Sequence, residues 1–198
     1  MADASSKMPA CPDAAKRKQP RGRDAAATRA DIARAAAFRF AHRGYAGVTL
    51  QDIADDVGVT AALVNRYFGS KRALFDLVVS TLGQLEVTGD PGQLADEVKD
   101  FWDDEQVYAP ALALLRSIDL DGGLRFRTEF QHRVRQPVLE AIGPDEEAIA
   151  KTRLVESLLL GVGLFGLGVM TGDNQLSADE KQAMHRRLTR MLAACLSD

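Results

Sequence analysis

From Val48 to Phe75 the chain reads VTLQDIADDVGVTAALVNRYFGSKRALF, and its caps and glycines leave room for little but short helices meeting at sharp corners. Thr49 caps a helix whose third interior residue is Asp52, a variant of the capping box. Ile53, Ala54 and Val57 give that helix one apolar face. Gly58 then admits the left-handed backbone that stops a helix within one residue. Val59 plugs the corner, and Thr60 caps a second helix in which Val64 and Phe68 point inward four residues apart. A short helix, a Gly-containing turn and a second capped helix make the helix-turn-helix pattern, here at about residues 48–68.

The outward face of the second helix carries the chemistry. Ala61, Ala62, Asn65 and Arg66 fall away from the buried stripe. Two small residues at the helix start let its N-terminus come close to base edges. Asn65 is suited to a bidentate pair with adenine, and Arg66 to a pair with guanine or a phosphate. Tyr67, Lys71 and the hydroxyls of Thr49 and Thr60 are groups that hold phosphates, and the amides at the helix starts add donors.

The charge of the whole chain fits this division. Residues 1–75 carry 13 Lys/Arg against 7 Asp/Glu, whereas the net charge of all 198 residues is −3. A basic front and an acidic back predict one surface that attracts phosphate and one that repels it. Residues 1–24 hold three prolines and six basic residues but no Leu, Ile, Val, Phe, Trp or Tyr, which predicts a disordered basic arm. The domains expected are that arm, a DNA-binding domain at 25–75 and a larger α-helical domain at 76–198.

No strand pattern is evident, and the fold class expected is all-α. A helix is predicted over 28–43, with Thr28 as its N-cap, Ile32, Ala35, Ala36 and Phe40 as its apolar stripe and Gly44 as its stop. Further helices are predicted over about 71–87, 92–106, 109–118, 122–141, 145–171 and 177–196. Breaks are expected at Gly89-Asp90-Pro91, Pro110, Gly122-Gly123, Gly143-Pro144 and Gly172-Asp173, and a kink at Pro137. The apolar run Leu158–Met170 is too short for a bilayer span and reads as a buried helix. Cys11 and Cys195 sit near opposite ends of the chain, in no metal-binding spacing, which predicts no disulfide framework and no zinc site. With no apolar leader segment, the setting expected is the cytoplasm. His42, His132 and His185 are scattered and no hydrolase or phosphate-loop motif appears, so neither an enzyme nor a bound cofactor is expected. The acidic run Asp100, Asp103, Asp104, Glu105 reads as a solvated helix face.

Residues 28–75 resemble the N-terminal domain of the TetR family of bacterial repressors. The resemblance rests on Phe40-Ala41-His42-Arg43-Gly44-Tyr45, Ile53-Ala54, Gly58-Val59, Tyr67-Phe68-Gly69-Ser70-Lys71 and Leu74-Phe75. By position it implies that Ala61, Ala62, Leu63, Asn65 and Arg66 face the major groove, with Thr49, Gln51, Thr60, Tyr67 and Lys71 on the DNA backbone. The family often has an aromatic at the position of Asn65 and Lys or Arg at that of Ala61, which shifts the reading onto Asn65 and Arg66.

One helix-turn-helix touches few bases, so a dimer reading two half-sites of operator DNA is expected. The last two helices, about 145–171 and 177–196, are the expected homodimer interface, through Leu154, Leu158, Gly161, Val162, Phe165 and Val169 and then Met184, Leu188, Met191, Leu192 and Cys195. The resemblance further implies a cavity for a small-molecule effector, with Phe101, Trp102, Tyr108, Leu112, Phe126, Phe130, Leu164 and Phe165 as its candidate lining. Such a lining suits an apolar or aromatic molecule. The expected function is a dimeric repressor released by that effector; the alternative is a regulator controlled by a partner protein or by no ligand. No membrane association is expected.

Overall fold

The structure, a computed structural model, describes residues 25–83, 90–143, 146–166 and 177–196, with side chains left undescribed at 101–103, 105 and 163–166. The expected arm at 1–24, Cys11 and the break at Gly89 lie outside the described residues. Among the described residues every regular element is helical. No helix among them is long and apolar enough to cross a membrane.

The first four helices are α1 (Ala25–Arg43), α2 (Leu50–Val57), α3 (Ala61–Phe68) and α4 (Lys71–Ser80). They enclose one core in which Ile32, Phe40, Val48, Ile53, Val64, Leu74 and Phe75 have no exposed surface. Val78 and Val79, in the last turn of α4, belong to the same core. Thr28 is not the cap the sequence predicts. The helix starts three residues earlier, and Thr28 is buried inside it.

The remaining helices are α5 (Pro91–Asp103), α6 (Glu105–Leu115), α7 (Leu124–Phe130), α8 (Gln136–Ile142), α9 (Ala148–Gly166) and α10 (Ala178–Leu196). α5, α8, α9 and α10 surround a second core of Leu94, Ala95, Val98, Val138, Val155, Leu188 and Leu192. α6 joins the two halves. It packs along α1 and against α4, and it places Ala113 and Leu114 in the first core. Ser177 and Glu180 form a second capping box at the start of α10.

The break expected at Pro110 is absent, and one expected helix is divided. Pro110 lies inside α6, which begins at Glu105 because the Asp104 side chain accepts from the Gln106 amide, 2.8 Å away. The carbonyl that Pro110 leaves unmatched is that of Gln106, an exposed residue in the first turn, and the helix continues through the proline. Asp104, read from sequence as part of a solvated acidic run, is thus an N-cap. The stretch expected as one helix over 122–141 is instead a 3₁₀ turn at Leu120–Gly123, α7, a π-helical segment at Gln131–Arg135 and α8. Asp121, Gly122 and Gly123 are all left-handed, which separates α6 from α7. Pro137 offers no amide to the Arg133 carbonyl, and the chain takes its wide turn immediately upstream.

Candidate nucleic-acid interface

The helix-turn-helix is built by the local chemistry the sequence announces. Thr49 Oγ1 accepts from the Asp52 amide (3.1 Å), and the Asp52 carboxylate accepts from the Thr49 amide (2.8 Å) and hydroxyl (2.6 Å). The Thr49 hydroxyl, then its amide, hold the Asp52 carboxyl below its ordinary pKa. Gly58 takes φ 70° and its amide closes on Ala54 and Asp55. Thr60 Oγ1 accepts from the Leu63 amide at 3.2 Å and so fixes the first turn of α3.

On α3, Val64 is fully buried, and Ala61, Tyr67 and Phe68 pack partly against the core. Ala61 therefore spends part of its surface on packing and lies nearer the buried stripe than its expected outward position. Ala62, Asn65 and Arg66 are exposed, and neither the Asn65 nor the Arg66 side chain engages a partner among the described residues. Leu63 is half-buried. The first amides of α3 have no intrahelical acceptors and point out of its start. The result is a short rigid rod with one small residue and two unoccupied multidentate side chains along its outer edge.

The backbone-contact set is less uniform. The Thr60 hydroxyl keeps its proton for an outside acceptor. The Thr49 hydroxyl donates to Asp52, and the Gln51 amide nitrogen donates to Asp55 Oδ1 at 2.6 Å. Lys71 does not reach outward. Its ammonium donates to the Tyr45 carbonyl at 3.0 Å and the Val48 carbonyl at 2.9 Å, and lies 4.2 Å from the centre of the Tyr45 ring.

Three fastenings escape sequence reasoning. Arg39 of α1 donates twice to the Asp56 carboxylate of α2, both at 2.6 Å, and that pair raises the arginine's pKa. Tyr45 donates its amide to Ser117 Oγ at 2.8 Å, just beyond α6. Arg72 of α4 pairs with Asp121 at 2.6 Å, beside Asp76. These partners stand 17, 72 and 49 positions apart, and no periodicity announces such a pair.

Residues 32–78 match the sequence profile of the tetR family of bacterial regulatory proteins. That stretch, which holds α2, α3 and most of α1 and α4, is thus similar to the tetR family's regulatory proteins. Similar solved structures agree in fold. NalD of Pseudomonas aeruginosa, described as the secondary repressor of the MexAB-OprM multidrug efflux pump, superposes with a TM-score of 0.60 at 19% identity, covering 85% of this chain and 97% of that one. A TetR family transcriptional regulator from Pseudomonas syringae pv. tomato gives 0.59 at 16% identity, covering 84% and 95%. A TetR-family protein from Mesorhizobium loti gives 0.53 at 16%, covering 88% and 98%. No curated protein sequence matches the chain.

Of the residues expected to line an effector cavity, Tyr108, Leu112, Phe126 and Phe130 have described side chains. Tyr108 and Leu112 pack with Ala37 and Ala41 of α1. Phe126 and Phe130 stack on each other at 5.6 Å, and Phe126 also touches the first core. The side chains of Phe101, Trp102, Leu164 and Phe165 lie outside the described set. Of the expected interface residues, Leu188 and Leu192 are buried in the second core, Leu158, Val162, Met184 and Cys195 pack against it, and Leu154 and Met191 are exposed. The side chain of Phe165, and Val169 altogether, lie outside the described residues.

Proposed function

We propose that this chain is a TetR-family transcriptional regulator that binds a two-fold operator as a homodimer, with one α3 in the major groove of each half-site, and represses transcription until a small apolar molecule binds its α5–α10 half. The observation that carries the reading is the outer edge of α3. Asn65 and Arg66 stand exposed and unpaired on a helix whose caps and core leave it no freedom to turn. They would read the bases, helped by Ala62 and Leu63 and flanked by Ala61, while Thr49, Gln51, Thr60 and Tyr67 would lie along the backbone.

A dimer is supported by large apolar side chains left exposed on α9 and α10: Ile149, Leu154 and Met191. Half-sites would then stand about 34–36 Å apart, or multiples of that. The efflux-pump repressor NalD, similar in fold, offers a precedent for repression. A regulator that binds DNA works in the cytoplasm.

The test is selection of duplexes from a randomised library by the full chain, followed by sedimentation of the complex. Enrichment of a two-fold sequence bound by two copies supports the reading. Enrichment of no sequence refutes it. A second reading, control without an effector, is favoured by one observation: Tyr108, Leu112, Phe126 and Phe130 are all engaged in packing. Thermal shifts across a panel of apolar molecules separate the two, since only an effector-binding chain is stabilised by one of them.

A further inference from the structure

We propose that Lys71 is a positioning residue for DNA recognition, acting through the turn that feeds α2, and not a contact to phosphate. The proposal rests on the DNA-binding reading above. Lys71 is the first residue of α4, where a helix repels a cation. The turn overcomes that repulsion. An ammonium has three protons, and two are donated to the carbonyls of Tyr45 and Val48 at 3.0 and 2.9 Å. The same nitrogen sits 4.2 Å from the centre of the Tyr45 ring, within cation–π range.

What these contacts fix is the chain between α1 and α2. Tyr45 is held on its other side by the hydrogen bond its amide donates to Ser117 Oγ and by its ring against Phe75, 5.3 Å away. Val48 has no exposed surface and directly precedes Thr49, the cap of α2. The ammonium therefore ties the start of α4 to the start of α2, and α3 hangs between them. Reaching a phosphate would strip two carbonyls of their donor and free the turn that sets the angle of the pair. Lys71 supplies the geometry of reading; the exposed cations supply the attraction.

Two measurements decide this. The first is the ammonium signal of Lys71 in the ¹⁵N-labelled full chain. A hydrogen-bonded, slowly exchanging signal in the free protein that stays put when DNA is added is expected. A fast-exchanging ammonium that becomes ordered only on DNA overturns the proposal. The second compares Lys71→Met with the unaltered chain on a library-selected duplex and on a random duplex, across a salt series. Affinity for the selected duplex is expected to fall about tenfold or more, with random DNA nearly unaffected and the salt slope unchanged. Loss of a phosphate contact would instead weaken both duplexes alike and make the slope shallower by about 0.9. A residue that merely stabilises the fold would leave the ratio of the two affinities unmoved well below the melting temperature, and that result also overturns the proposal. If the unaltered chain selects no duplex, the functional reading fails, and the ammonium signal still decides whether Lys71 is clamped.

Discussion

Gly44 and Gly58 share a left-handed backbone, at φ 66° and 70°, but not a neighbourhood. A Cβ on Gly58 would meet open space, whereas one on Gly44 would lie 2.6 Å from the Arg116 carbonyl oxygen at the end of α6. Gly58→Ala therefore carries only the backbone cost, about 1 kcal/mol. Gly44→Ala adds a clash with backbone that cannot yield, and about 3 kcal/mol is expected. Denaturant unfolding of the two variants checks the ranking. Asp52 gives a pH test. Its carboxyl is held below the ordinary value, so its contribution is present above the unfolded pKa of about 3.9 and is lost as pH falls through the lower folded value. Asp52→Asn should destabilise the chain at pH 7, and by progressively less as pH falls below the unfolded value, by urea unfolding across a pH series. The Thr49–Asp52 cap was legible in the sequence because both partners lie within one turn. The engagement of Lys71's ammonium was not, because its acceptors are carbonyls 26 and 23 positions away.

At the scale of elements, caps and glycines located α2, the turn and α3 because each stop is chemical and local. Elements set by distant packing were read less well. Thr28 has the side chain of a cap but is drawn into the core, and Pro110 has the look of a stop but sits within the first two turns of α6. How tightly α2 is held to α1 depends on Arg39 and Asp56, whose side chains are 16% and 7% exposed. Arg39→Met leaves a nearly buried carboxylate without its partner and should cost about 3 kcal/mol. Thr60→Ala removes one neutral cap bond and should cost about 1 kcal/mol. Equilibrium unfolding of both variants tests the order. The reverse order would mean that the α1–α2 pair contributes little to the fold.

Across the whole molecule, α6 packs on α1, α4 and α5, and its end touches the turn before α2 through Ser117 and Gly44. That junction was invisible in the sequence, where α1 and α6 show only two separate apolar stripes. The surfaces of the last two helices were legible in part. Periodicity marked the apolar positions of α9 and α10 but could not say which face inward: Leu188 and Leu192 do, Leu154 and Met191 do not. If the outward pair joins two copies, Leu154→Glu combined with Met191→Glu should yield a folded monomer by sedimentation, with operator affinity reduced at least a hundredfold. An unaltered dimer would move the interface elsewhere.

Base reading by Asn65 and Arg66 is tested most directly by measuring, for Asn65→Ala and Arg66→Ala, affinity for the selected duplex against each single-base change within a half-site. Each variant should lose discrimination at its own one or two base pairs, by about 1–3 kcal/mol, and keep it elsewhere. Full discrimination retained at every position by both variants would contradict the claim.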